Sequence, residues 1–210
     1  MSNTVQRMPD TKERILDAAE KLFGHNGFEA TSLRDITTDA GVNLAAVNYH
    51  FQSKESLFDA VIARRMEPVN RRRMELLDAA GPQPTVEQIL LAFLNPLFER
   101  QSPEVVALLG QVLATPDLFV RQFFKRHLAS ASQRFVEALS RALPDLSRTD
   151  VMWRLHFTAG ALAHLLARGP VLPEISEGLL DLNDRAAVLA RLVTFAAAGF
   201  RADAWGTEAV

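Results

Sequence analysis

Apolar positions recur at helical spacing along almost the whole of this chain. Ile15, Ala18, Ala19, Leu22 and Phe23 form one amphipathic stripe. It predicts a first helix opened by Asp10 with Glu13 as reciprocal cap and ended by Gly24 and Gly27. A short second helix is expected from Ser32, with Asp35 as its cap, Leu33 and Ile36 turned inward and Gly41 as its stop. A third is expected over about 43–50. A fourth opens at Ser53, buries Leu57, Phe58, Val61 and Ile62, and runs to about Ala79.

Gly81-Pro82-Gln83-Pro84 is the strongest break. Beyond it, Thr85 and Gln88 cap a fifth helix holding Phe93 and Leu97, which Pro96 is expected to kink. Ser102-Pro103 and Thr115-Pro116 each set a capping residue before a proline, marking two further helix starts. The helix after Pro116 is expected to reach Leu143, another to span about 150–168, and a last about 184–201. Between these two lies the longest irregular connection, GPVLPEISEG. No strand pattern or internal repeat interrupts the series. The fold class is therefore all-α, with about nine helices: an N-terminal three-helix helix-turn-helix domain and a C-terminal helical bundle. A flexible tail is expected over 1–10, the first domain over 11–71 and the second over 82–203.

Composition narrows the class. The hydrophobic fraction of 48% is high for a soluble chain and leaves apolar surface for a partner. With no cysteine, disulfides, thiolate metal sites and a catalytic thiol are excluded. No apolar run approaches a membrane span and none follows the polar N-terminus, so a soluble, cytoplasmic protein is expected. The net charge is −2, and residues 1–75 hold eleven basic and eleven acidic side chains. Any phosphate-binding surface must therefore come from arrangement rather than from excess charge.

The stretch TSLRDITTDAGVNLAAVNYHFQSKESLF, residues 31–58, carries the most chemistry. Gly41 can adopt the left-handed backbone of a tight turn between two short helices. Ile36, Ala40, Val42 and Val47 would pack those helices together, leaving Asn48, Tyr49 and His50 facing outward. A short exposed helix with such a face fits a major groove. Lys54 stands at the next helix start, where backbone N–H groups and the helix dipole favour a phosphate.

These residues resemble the DNA-binding domain of TetR-type regulators over 11 to about 71. Thr11, Ile15, Ala18 or Ala19, Leu22 and Phe23 match its opening. Gly27-Phe28, the run from Thr31 to Ile36, Ala40-Gly41-Val42, Tyr49-His50-Phe51 and Ser53-Lys54-Glu55 fall at its spacing. The resemblance implies phosphate contacts for Ser32 and Arg34, and a backbone clamp from Tyr49 and Lys54. It places Leu44, Ala45, Ala46, Asn48 and His50 near base edges or phosphates. Asn48 is the best base reader by chemistry, since an amide can bond adenine bidentately, and Ala45 and Ala46 suit thymine methyls. Thr37 departs from the family's alanine, and Asn43, placed with the DNA-facing residues, departs from its serine cap. The run Asn43–Phe51, Trp153-Arg154 with His156-Phe157, and Ala197-Ala198-Gly199 with Arg201-Ala202-Asp203 resemble a narrower subgroup that responds to long-chain fatty acids.

For an effector, Phe93, Leu97, Phe123, Arg154 and Phe157 are the candidates. The Phe- and Leu-rich stretch 89–135 either lines an apolar cavity or is ordinary core. Arg154 either holds a ligand carboxylate or sits at the surface or a dimer rim. Arg71-Arg72-Arg73 reads as a solvated face. His156 and His164, eight apart, read as core or pocket-lining histidines rather than a metal pair. Small residues at 159–163 and 196–199 suit close helix approach, and in the family these helices form a four-helix dimer bundle.

The expected protein is thus a homodimeric regulator, a repressor of a palindromic operator on double-stranded DNA. Its two-fold interface would use the last two long helices. A small apolar or acyl effector, such as a long-chain fatty acid or its CoA ester, would shift the fourth helix and the spacing of the recognition helices. No cofactor, metal, catalytic residue or membrane partner is expected, since nothing matches a nucleophile elbow, a phosphate-binding glycine loop or a metal-ligand set. The rival reading is a helical protein-interaction module with a vestigial DNA-binding head.

Overall fold

The computed structural model describes residues 10–99 and 124–203, and every described element is helical. The candidate Phe123 and the helix starts at Ser102-Pro103 and Thr115-Pro116 lie outside those residues. The elements are α1 (Thr11–Ala30), α2 (Leu33–Ala40), α3 (Leu44–Phe51), α4 (Lys54–Ala79) and α5 (Val86–Leu94). They are followed by α6 (Ala129–Ala142), α7 (Arg148–Arg168), α8 (Leu172–Ile175) and α9 (Arg185–Arg201). The chain divides into two compact units between Arg65 and Met66, inside α4. The break at 81–84 follows the end of α4 at Ala79, as expected.

In the first unit α1 packs on α2 and α3, and α2 on α3. Ile15, Phe23, Ile36, Val47, Leu57, Val61 and Ile62 are fully buried. Phe23 meets the ring of Phe58 edge-on at 4.9 Å, and Phe28 lies 5.0 Å from Phe58. Burying one such ring contributes roughly 2–3 kcal/mol. Glu20, buried on α1, accepts from Arg64 Nη2 at 2.5 Å and from Arg65 Nε at 2.9 Å, while Arg64 also bridges Asp17 at 2.8 Å. Two boundaries differ from expectation. Asp10 makes no side-chain cap, so the predicted Asp10–Glu13 box is not formed. Gly27 (φ 80°) kinks α1 rather than ending it, and helix resumes to Ala30.

In the second unit α5 packs on α6 and α9, and α7 on α6 and α9. Ile89, Leu90, Leu94, Phe135, Leu139 and Val151 are buried between them. Thr85 and Gln88 form the expected box at α5, Ser147 accepts from Asp150 N to cap α7, and Asp184 accepts from Ala187 N to cap α9. Pro96 does not kink a longer helix. α5 ends at Leu94 and a 3-10 turn, Asn95–Leu97, takes Pro96 near its start, where a missing N–H costs nothing. A π-helical turn, Phe124–Leu128, leads into α6. The expected irregular connection after α7 contains a 3-10 turn, Gly169–Val171, and α8, which starts with Pro173 in its first turn. Pro68 sits inside α4 without ending it, and the buried Met66 and Val69 on either side hold that stretch helical.

Candidate nucleic-acid interface and ligand cavity

The turn between α2 and α3 is built from local chemistry. Gly41 takes φ 62°, ψ 40°, which closes α2 and releases the chain toward α3. Asp35 N donates to Ser32 Oγ at 3.2 Å and Ser32 N to Asp35 Oδ2 at 3.0 Å, the reciprocal box expected from sequence. These bonds from Ser32 hold the Asp35 carboxyl below its ordinary range. At the other end Arg14 Nη2 donates to Ala40 O at 2.6 Å and Gly41 O at 2.9 Å. Arg14 thus satisfies the last carbonyls of α2, a role that spacing could not announce because it depends on where α1 lands.

α3 starts with Asn43 Oδ1 accepting from Ala46 N at 2.9 Å, which occupies that side chain with capping. Val47 and Phe51 turn inward. Leu44, Ala45 and Asn48 are exposed, and Tyr49 is 83% exposed with its ring 5.0 Å from that of His50. Ala46 and His50 are half-buried beside them. Arg34 on α2 is exposed, with its guanidinium bonded to no described residue. Lys54 opens α4 with Nζ 4.4 Å over the Phe28 ring and 3.4 Å from Glu29 O. The first unit thus presents an exposed helix face, an exposed guanidinium that bonds no described residue, and an ammonium steadied on an aromatic ring. The Ser32 hydroxyl donates to Asp35 Oδ2 at 2.6 Å.

The second unit holds an apolar cavity of about 500 Å³. Phe93 and Leu97, two of the expected effector residues, line it with Leu128, Val136, Leu155 and Leu162. Arg154 and Phe157 do not line it. Arg154 Nη1 lies 2.7–2.9 Å from the carbonyl oxygens of Gly199, Phe200 and Ala202, and Nη2 donates to Asp203 O at 3.1 Å. It therefore caps the C-terminus of α9, where a cation also meets the negative end of the helix dipole. The two sequence runs 153–157 and 197–203 meet through this clamp. Phe157 is exposed and stacks on Trp153 at 5.6 Å. His156 lines the cavity but is exposed, and His164 is exposed as well, so neither is a core histidine.

The larger correction concerns Arg73. It was expected on a solvated face with Arg71 and Arg72, yet it is 4% exposed and lines the cavity. The signal was available, since Arg73 falls on the same α4 stripe as Met66, Val69 and Leu77, all buried. Among the described residues no group of His, Asp and Glu is placed to hold a metal, and no helix is long and apolar enough to cross a membrane.

Comparison with known proteins extends these observations. Residues 15–61 match the model of bacterial regulatory proteins of the tetR family. Residues 91–199 match the tetracyclin repressor-like C-terminal domain. The chain is 26% identical over 140 residues to the transcriptional regulator SrpR of Pseudomonas putida, covering 67% of this chain and 62% of SrpR. It is 34% identical over 106 residues to the repressor NicS of Pseudomonas putida, about half of each chain (50% and 49%). The matches thus span less than two thirds of the length of these relatives, which are named as regulators rather than enzymes. In fold, the chain is similar to the fatty acid degradation regulator FadR from Bacillus halodurans, with a TM-score of 0.69 at 16% identity over 94% of this chain and all of that one. FadR from Bacillus subtilis, solved in complex with stearoyl-CoA, gives 0.61 at 16% identity over 89% of this chain and 98% of its own. With both family models falling on the two units in order, and the second alone spanning half its length, the chain belongs to the TetR family of bacterial regulatory proteins.

Proposed function

We propose that this protein is a sequence-specific DNA-binding transcriptional regulator, a homodimeric repressor of a palindromic operator in the cytoplasm. The observation that carries this reading is α3. It is a two-turn helix, capped at its start and anchored by Val47 and Phe51, whose outer face holds the exposed Asn48 and Tyr49. Such a helix can enter a major groove while Arg34, Tyr49 and Lys54 engage phosphates on either side. Ser32 and Asn43 act here chiefly through the caps that aim these groups. Ala45 and Ala46 leave the front of the helix low enough for close approach, with Leu44 and His50 at its two ends.

The second unit is read as the sensor and the dimerisation surface. Its cavity, within the usual 300–1,000 Å³ range of ligand sites, suits a small apolar or acyl effector. The resemblance of fold to two FadR proteins favours a long-chain fatty acid or its CoA ester. Binding must favour one of two states, or it shifts nothing. Met152, Trp153 and Phe157 on α7 and Phe195 on α9 are exposed, and they supply an apolar face for a second copy.

The test is selection of sheared genomic DNA by the purified protein, followed by sequencing, with Tyr49→Ala alongside. Because Tyr49 is exposed, the variant keeps its fold. Enrichment of a palindrome, lowered at least about tenfold in the variant, supports the regulator. Equal recovery by the two proteins would sink the DNA-binding reading and leave an interaction module.

A further inference from the structure

Arg73 is the one feature of the cavity that an ordinary apolar pocket does not explain. Its guanidinium lies with Cζ 4.4 Å from the centroid of the Phe93 ring, and Nε donates to Phe93 O at 2.8 Å. Nη1 donates to Asn70 Oδ1 at 3.2 Å. The Asn70 amide is itself fixed, because its Nδ2 donates to His127 O at 2.7 Å. All these partners are neutral. Among the described residues, Nη2 finds no acceptor and no carboxylate lines the cavity. The other polar side chains among the described lining residues are Ser132, Thr149, His156 and the indole of Trp153. Burial pushes the Arg73 pKa down to about 10, which leaves the group charged at neutral pH. Among the described residues this cation, held out of water, has no counter-charge, which is strongly unfavourable unless something negative joins it. Here its orientation is locked in advance, which is how a receptor for an anion is built.

We propose that Arg73 anchors the anionic head of the ligand, and that the cavity takes an aliphatic carboxylate whose tail lies among its apolar walls. This deepens, and rests on, the reading of the second unit as ligand-binding. A thioester carbonyl carries no charge, so the same geometry favours a free acid over its CoA ester. The anchor is also distinct from Arg154, whose Nη1 and Nη2 bond the carbonyls at the α9 terminus.

The experiment is calorimetric titration of the full chain, without DNA, at pH 8, with decanoate, decanol and decanoyl-CoA as probes. The wild type should bind decanoate roughly ten- to a hundred-fold more tightly than decanol or decanoyl-CoA. Arg73→Met, similar in length and apolar, should lose that preference while still binding decanol. Arg73→Lys, which keeps the charge but not the fork, should keep part of it. Wild type that binds decanol or decanoyl-CoA as tightly as decanoate, or binds none of the three, overturns the proposal. So does an Arg73→Met protein with undiminished affinity for decanoate. If Arg73→Met does not fold, the wild-type comparison and Arg73→Lys decide alone. Because no DNA is present, a decanoate preference together with failed operator selection supports the anion site while removing the regulator.

Discussion

Gly41 shows how much rests on single residues in the first unit. Its φ of 62° is disfavoured for any side chain, and a Cβ there would meet Arg14 Nη2 at 2.9 Å. Gly41→Ala is expected to cost about 1–2 kcal/mol in urea unfolding, and an unchanged midpoint would contradict it. Asp35 gives a pH signature. Its carboxyl is held low in the folded state, so its contribution is full above the unfolded value near 4 and is lost as pH falls through the lower folded value. The stability gap between wild type and Asp35→Asn should therefore be open at pH 6 and close on acidification below pH 4. Such caps were legible because their partners lie three residues away. Arg14 and Arg73 were missed or misread, and the two readings of Arg154 left open, for the opposite reason. A long cation takes its role from whichever carbonyl or ring the tertiary fold brings near, and 26, 20 and 45 residues separate them from their first partners.

At the scale of elements, hydrophobic period and capping located the helices well, and what they left open were the joints. Helix periodicity identifies an inward face but not how a proline is absorbed, so Pro96 became a 3-10 turn and Pro68 an interior residue of α4. The connection after α7 gained α8 because Leu172 is buried and pins that segment. Arg154 makes the joint between α7 and α9 testable. Arg154→Ala strips the last carbonyls of α9 of their charged donor and should destabilise the second unit by about 1–3 kcal/mol. Decanoate affinity should stay within about twofold of wild type, since the residue is spent outside the cavity. A large loss of affinity in a folded Arg154→Ala protein would return this arginine to the ligand site.

For the whole molecule, the question is what covers the apolar face of α7 and α9. Trp153, Phe157 and Phe195 border one depression with Gly199, and Phe195 is 71% exposed. Among the described residues nothing lies within 4 Å of where a Cβ on Gly160 or Gly199 would stand, which leaves room for a second backbone. A two-fold interface uses each of these residues twice, and one substitution is therefore felt twice. Phe195→Asp replaces an exposed ring in the free chain, so its fold should persist while two unpaired carboxylates enter any interface. Sedimentation at micromolar concentration should show wild type as a dimer and the variant as a monomer. The variant should also bind a full palindrome roughly a hundred-fold more weakly, because linking two heads raises affinity by about 10²–10⁴ through effective concentration alone. Affinity for a half-site should be unchanged, since α3 is untouched; Tyr49→Ala should instead lose both. A Phe195→Asp protein that remains dimeric and keeps its palindrome would place the two-fold surface elsewhere on the second unit.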